Sequence, residues 1–359
     1  HLISYLINKI SYALLTLFGV ISVIFFLFNV LPGDPAQMMM GQNEDSEQLA
    51  LVKQKYGFDK PATTQFLYYL NDLSPVSFHS NNSKDYTFLT EEKYSATKLF
   101  SIGNTTTVLK IPYLRESFTK QGKKVSEVLK ETLPNTFVLA VSAIIIAMFF
   151  GITLGIVSAL YKDTWLDKTI QIFSTFGMSI PSFFSAILFA WFFGYILHKY
   201  TNLEMIGSLY ELDDFGEAMQ IKWKNLILPA VVLGIRPLAV VIQLMRNSLL
   251  EVFNQDYIRT ARAKGLSEFK IIKKHAVKNA LNPVITAISG WFASMLAGAV
   301  FVEYIFGWNG LGKEIVNSLN TLDLPVIMGS VLIIAVLFII INIFVDIIYV
   351  WLDPKVKLE

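Results

Sequence analysis

The stretch Gly307 to Lys313 reads GWNGLGK and comes within one residue of the glycine-rich loop that cradles nucleotide phosphates. That chemistry needs backbone N–H groups around the phosphates, a lysine, and then a Ser or Thr hydroxyl for magnesium. Here Glu314 follows Lys313; it supplies no hydroxyl and repels phosphate, and no strand pattern precedes the loop. ATP is therefore not expected on this chain. His1, His79, His198 and His275 lie far apart, and no HExxH, Gly-x-Ser-x-Gly or paired carboxylates within apolar stretches occur. Cysteine is absent, which removes disulfides, thiolate metal sites and cysteine nucleophiles. The inventory supports no enzyme, no metal site and no bound cofactor. A net charge of +2, with the basic residues mainly in one loop, gives no nucleic-acid surface either.

Two features do carry chemical interest. Arg236 sits in a run of Leu, Ile, Val and Ala, where a charge at bilayer depth costs about 2.5 kcal/mol or more unless it meets water, a partner or a polar cavity. It lines a polar path, forms a structural ion pair with Glu303 or Asp346 as the candidate acids, or marks a span boundary that lies elsewhere. The second feature is Asp256 to Pro283, DYIRTARAKGLSEFKIIKKHAVKNALNP. Ala261, Leu266, Phe269, Ile272, Ala276 and Ala280 recur near helical spacing between lysines and arginines. Gly265 interrupts the pattern, and Ser267 with Glu268 can open a second helix. The expectation is two short amphipathic helices joined by a sharp turn, outside the bilayer. Such a rigid knob can transmit a displacement from a soluble motor. An interfacial loop held by anionic lipid fits the same composition.

The elements that must position these residues are membrane helices. The chain is 53% hydrophobic and only 16% charged, whereas a soluble domain has about 25% charged residues. Six apolar stretches approach the roughly 20 residues that cross a bilayer: 10–31, 135–160, 170–197, 225–245, 283–306 and 326–351. The first is longer than a signal-peptide core and no small-residue cleavage site follows it, so it is expected as a retained helix. Arg246, Arg259, Arg262, Lys264, Lys270, Lys273, Lys274 and Lys278 fall between spans four and five, while the opposite loops carry Glu204, Glu211, Asp213, Asp214, Glu217 and Asp323. The positive-inside rule then puts the basic loop 246–281 and both termini in the cytoplasm, with Lys9, Lys355 and Lys357 agreeing. Residues 32–131 lie outside. They are too long for a plain connection and are expected to hold a small folded insertion, rich in Ser, Thr, Asn and Lys from Ser74 to Thr107. Tyr56 to Leu70 has helical spacing and is expected on the membrane surface. Gly151 and Gly155 form a GxxxG pair for close helix packing. Ser179 and Pro181 mark a kink in span three that could line a cavity.

The basic stretch resembles the cytoplasmic signature loop of permease subunits of binding-protein-dependent ABC importers: EAA, three residues, Gly, nine residues, I, one residue, LP. Gly265 fills the glycine position, Arg259, Thr260 and Ala261 stand at EAA without its Glu, and Val277 and Lys278 replace the Leu and Pro. RTARAKGLSE followed by HAVKNALNP is similar to the form used by the dipeptide, oligopeptide and nickel branch. LPGDPA (31–36), KYGFDKP (55–61), LPNTFVLA (133–140), SIPSFF (179–184), FGWNGLG (306–312) and VDIIYVWLDPKV (345–356) continue the resemblance over nearly the whole chain. It implies an all-α, six-span type I ABC importer permease fold with an extracytoplasmic insertion between spans one and two, in the inner membrane of a prokaryote. It also implies a second homologous permease, two cytoplasmic ABC ATPases that bind the ATP, and an extracytoplasmic solute-binding protein. Asp256, Tyr257, Arg259, Thr260, Ala261, Arg262, Ala263, Lys264, Gly265, Leu266, His275 and Asn279 are the implied ATPase-coupling residues. Arg236, Ser179 and Pro181 are candidates for the translocation path, where Arg236 would meet a peptide carboxylate or backbone. The alternatives are nickel as cargo, a secondary transporter, and a membrane-embedded enzyme. The single basic loop and the lack of a His or carboxylate cluster along the path argue against them.

Overall fold

The computed structural model describes residues 1–30, 34–40 and 45–352. Leu31, Pro32 and Gly33 of LPGDPA, and Asp353 to Val356 of the final motif, lie outside them, as do Lys355 and Lys357. Four helices are long and apolar enough to cross a membrane, and six if each of two bent pairs counts as one span. They are α1 (Leu2–Val30), α5 (Val125–Leu160), α9 (Lys224–Phe253), α15 (Leu324–Leu352), the pair α6 (Trp165–Ser179) with α7 (Ser182–Phe189) and its π-helical continuation Ala190–Ile196, and the pair α12 (Val277–Gly298) with α13 (Val300–Phe306). Between α1 and α5 come α2 (Pro35–Met40), α3 (Ser46–Tyr56), α4 (Ala62–Leu73) and strands β1 (Val76–Ser80), β2 (Ala96–Ile102) and β3 (Thr105–Lys110). α8 (His198–Thr201) and the hairpin β4 (Tyr210–Leu212) and β5 (Met219–Ile221) precede α9; α10 (Asp256–Ala263) and α11 (Glu268–Lys270) follow it, and α14 (Leu311–Thr321) precedes α15.

Two expected boundaries move for local reasons. α5 starts at Val125 rather than 135, because VSEVLKETL is itself good helix sequence with Glu127 in the first turn. α9 runs on to Phe253, past the predicted end at 245, and keeps Pro229 and Pro237 inside it. Span three breaks where Pro181 predicted: Ile180 and Pro181 are extended and the two halves bend by 109°.

The chain divides into two compact units, one built mainly on Thr132–Lys313 and the other on Leu6–Glu131 with Glu314–Val336. In the first, α9 is the packing centre: its most apolar stretch is 61% buried, against 28% for α5. The glycine pair on α5 explains the close approach. A Cβ on Gly151 would stand 2.7 Å from Val241, and one on Gly155 would stand 2.6 Å from Met245. Arg246 near the end of α9 donates twice to Asp167 on α6, at 3.0 and 2.9 Å, and Ser158 of α5 donates to the same carboxylate. Gln171 reaches Ser158 at 3.1 Å, so three helices share one buried polar knot.

The second unit contains the insertion. It is folded, as expected, but it is not purely helical: β1, β3 and β2 form a three-stranded antiparallel sheet in that order. Fully buried Asp72 on α4 is its hub, accepting from Tyr86 at 2.7 Å, Tyr94 at 2.8 Å and Arg115 at 2.9 Å. Burial and the Asp72 charge push the Tyr94 hydroxyl far above its usual range. The aromatic run Tyr56 to Leu70 does not form one surface helix. Gly57, at φ 74°, ends α3, and α4 then packs Phe66 and Tyr69 against Ile21, Phe25 and Met328. Burying two aromatics against another helix removes more apolar surface than lying on an interface does. The start of α15 is fixed by Asp323, which accepts from Ser117 Oγ, from Phe118 N–H at 2.9 Å and from Thr119 Oγ1 at 2.8 Å.

Candidate coupling element and translocation path

The expected elbow is present. Gln255 leads into α10, and the chain reverses through Lys264, Gly265 and Leu266, with Gly265 at φ 79° in the left-handed region that only glycine enters without strain. Ser267 caps the next turn by accepting from Lys270 N–H at 3.4 Å, and α11 passes through the π-helical stretch Ile271–Ala276 straight into α12. Arg262 and Glu268 bridge the turn at 3.3 Å.

The face that anchors the elbow matches the expected one at Ala261, Ala276 and Ala280 and departs from it at Leu266, Phe269 and Ile272. Ile258, Ala261, Ile271, Ala276 and Ala280 are buried on Met245, Leu249 and Ala159. Leu266 and Phe269 stay outside, Phe269 at 71% exposure, and Ile272 is half-buried. The glycine turn at Gly265 breaks the helical register, so a spacing count carried across it from Ala261 misplaces Leu266 and Phe269. Asp256, Tyr257, Arg259, Thr260, Arg262, Ala263, Lys264 and Gly265 are all exposed, as is Asn279, while His275 is half-buried. The element is therefore an apolar base, seated on α9, that presents a charged outer surface with two exposed apolar side chains. That composition suits a partner groove.

Of the path candidates, Arg236 is exposed midway along α9, and among the described residues it makes no ion pair or hydrogen bond. The proposed acids are engaged elsewhere: Glu303 accepts from Thr136, and Asp346 accepts from Tyr5 at 2.6 Å. Ser179 is exposed and its hydroxyl donates back to Thr175 O at 2.8 Å, while Pro181 is exposed at the break. α6 and α9 touch at Gly177, where a Cβ would stand 3.3 Å from Ile235, so Ser179 and Arg236 flank the same crossing without bonding to each other. α12 adds a groove of about 410 Å³ lined by Thr286, Ala287, Gly290, Trp291 and Ser294. Its few polar residues, Thr286 and Ser294, do not stand out from the apolar run of span five in the sequence.

The other group missed in the sequence surrounds Glu303, which has 0% exposure. Thr136 Oγ1 donates to Glu303 Oε1 at 2.7 Å and accepts from Leu311 N–H at 2.8 Å. Gly312 N–H and Lys313 N–H donate to Oε2 at 2.7 and 3.3 Å. The Trp308 indole donates to Asn135 O at 2.9 Å, Asn135 donates to Asn309 O at 2.8 Å, and Asn309 N–H donates to Ser208 at 3.0 Å. The stretch that looked like a phosphate cradle is thus a nest of backbone donors filled by a carboxyl side chain of this chain. Gly312 is required because a Cβ there would meet Val300 Cα at 2.5 Å.

Long and broken apolar helices, with an exposed, basic, glycine-turned elbow between two of them, define a membrane-spanning transport subunit. Comparison with known proteins gives the family: the profile described as binding-protein-dependent transport system inner membrane component matches residues 151–358, and its N-terminal companion matches residues 2–84. The chain belongs to this family. It is 32% identical to the dipeptide transport system permease protein of Bacillus subtilis over 99% of this chain and 98% of that one. It is 30% identical to the same-named protein of Alkalihalophilus pseudofirmus, over 99% and 100%. The di/tripeptide transport system permease of Pseudomonas aeruginosa is 31% identical over 99% of each. Among solved structures, the MetNI methionine ABC transporter in inward-facing form matches with a TM-score of 0.50 at 16% identity, over 62% of this chain and 95% of that one, which supports the fold. The protein is an integral inner-membrane permease.

Proposed function

We propose that this permease forms half of the path of an ATP-driven importer of dipeptides or oligopeptides. The peptide assignment rests on the names of its full-length relatives. It works beside a second homologous permease, two cytoplasmic ABC ATPases that bind the ATP, and an extracytoplasmic binding protein that delivers the cargo. Both termini and the 246–281 loop are cytoplasmic, and the 32–131 insertion is outside, as the distribution of Lys and Arg favours.

The observation that carries the mechanism is the continuity of the elbow with span five. The exposed surface of Asp256–Leu266 rests on buried Ile258 and Ala261, and Ile271–Ala276 leads without a gap into the 22 residues of α12, a rod of roughly 33 Å at 1.5 Å per residue. A push on the elbow therefore moves span five as a body. Closure of the ATPase pair turns the cavity outward, and release returns it to the cytoplasm. Arg236, exposed at bilayer depth and unpaired, faces the polar cavity made with the second permease and meets a peptide carboxylate or backbone carbonyl there.

Co-purification from native membranes tests the scheme. Two ATPases and one further permease are expected, and a self-sufficient homo-oligomer would end it. Gly265→Trp sharpens the test. No atom lies within 4 Å of a Cβ on Gly265, so the added bulk meets no neighbour in this chain; the left-handed backbone resists it by about 1 kcal/mol, and the partner groove excludes the ring. Membrane insertion should persist and ATP-coupled uptake should disappear.

A further inference from the structure

We propose that Glu303 is the latch of the extracytoplasmic gate, a positioning residue that holds the far end of span five to the start of span two until the motor pulls it free. This rests on the ATP-driven reading above.

Three observations converge. The carboxylate joins separate stretches of chain: Thr136 on α5, Glu303 itself on α13, and the Gly312 and Lys313 amides of the loop into α14, with Asn135, Asn309 and Ser208 bonded around them. Next, α13 is the terminal piece of the coupling rod. It follows α12 across a bend of 57°, so motion imposed at Ile271–Ala276 arrives at Ala299 and loads the Glu303 contacts.

The third observation separates a latch from a cornerstone. Among the described residues no Lys or Arg pairs with Glu303; Lys313 Nζ turns instead to Asn309 Oδ1 at 2.9 Å. A fully buried carboxyl group held only by neutral donors has lost its hydration without gaining a charged partner. Opening the nest returns that hydration, which offsets much of the lost hydrogen bonding. Closed and open states therefore lie close in free energy, as a switched element requires. Each neutral bond is replaced by one to water, so the motor has a small difference to overcome.

The chain has no cysteine, so an introduced pair reports on this node. In proteoliposomes containing the whole transporter and its binding protein, the variant Asn135→Cys, Asn309→Cys is oxidised, with each single variant as control. Dipeptide uptake should fall at least about tenfold as the disulfide forms and recover with reductant, the shift expected when one of two states is made inaccessible. Undiminished uptake with the bond complete overturns the latch, because a merely structural node never needs to open. In parallel, Glu303→Ala should raise ATP hydrolysis in the absence of binding protein several-fold, since the outward-open state becomes easier to reach. Glu303→Gln keeps one acceptor oxygen for the Gly312 and Lys313 amides and should lie nearer wild type than Glu303→Ala does. An assembled Glu303→Ala transporter with unchanged basal hydrolysis also overturns the proposal, and if that variant fails to assemble the cysteine pair decides. Loss of the ATPases from unmodified complexes would strike the transport reading and leave the latch untouched.

Discussion

Two buried carboxylates in the same helical unit are treated in opposite ways. Asp167 is met by the two-pronged Arg246 guanidinium at 3.0 and 2.9 Å, and by Ser158. Glu303, more deeply buried, receives one hydroxyl and two backbone amides. A bidentate charged pair holds one geometry and is costly to break from one side. A nest of neutral donors is satisfied in one state and exchangeable for water in another. The first suits the base of a lever and the second its release point. Asp167 and Arg246 stand where α9 leads into the elbow, and Glu303 stands at the other end of the α12–α13 rod.

The contrast can be broken most directly at Arg246. Arg246→Ala leaves Asp167 charged and unpaired and should cost about 3–5 kcal/mol of stability, read as a large fall in the midpoint of thermal unfolding in detergent. A variant that unfolds like wild type would show that the two carboxylates do not differ as argued. At the other site, Thr136→Val removes one donor to Glu303 and the acceptor for Leu311 N–H, and should cost about 1–3 kcal/mol. Its stronger signature is raised ATP hydrolysis without binding protein, which Arg246→Ala should not produce.

Gly265→Ala tests the elbow between them. The added Cβ has room, so only the left-handed backbone resists it, at about 1 kcal/mol. Uptake should fall more than stability does, and equal losses in both would count against a coupling role.

The smallest effect comes from a basic counterpart in the insertion. Lys110 Nζ donates to the carbonyls of Asn71, at 2.9 Å, and Ser74, and burial pulls its pKa down to about 8 against the weaker upward pull of Asp72. Below pH 8 both folded and unfolded chains hold the proton. Above it the folded insertion releases the proton while the unfolded chain keeps it, so stability should rise with pH from about 8 towards 10. Nearer pH 10 the unfolded chain begins to lose protons that buried Tyr94 retains, and the gain reverses. Amide-exchange protection of Thr105–Lys110, corrected for intrinsic rates, measures this, and a fall between pH 8 and 9.5 would contradict the account.

Much of the architecture is written in short-range pattern. Apolar runs place the six spans, Pro181 places the 109° break, Gly151 and Gly155 announce the contact with α9, and Gly265 announces the turn. Each depends on neighbours within a few positions along the chain. At the base of the elbow the short-range pattern fails at Leu266 and Phe269, because the left-handed turn at Gly265 resets the angular count from Ala261.

What the chain's own order determines is therefore local: which segments dissolve in lipid, where helices stop, and which surface carries charge. Partner choice among buried ionisable groups is decided only in three dimensions. Thr136 and Glu303 are 167 residues apart, Arg246 and Asp167 are 79 apart, and Arg115 reaches Asp72 across 43. The physical reason is that a buried charge is stabilised by whatever donors the packing of apolar helices delivers to it. GWNGLGK shows the divide: its glycines announce a nest of backbone donors, and only the fold supplies the acceptor, the Glu303 carboxyl group.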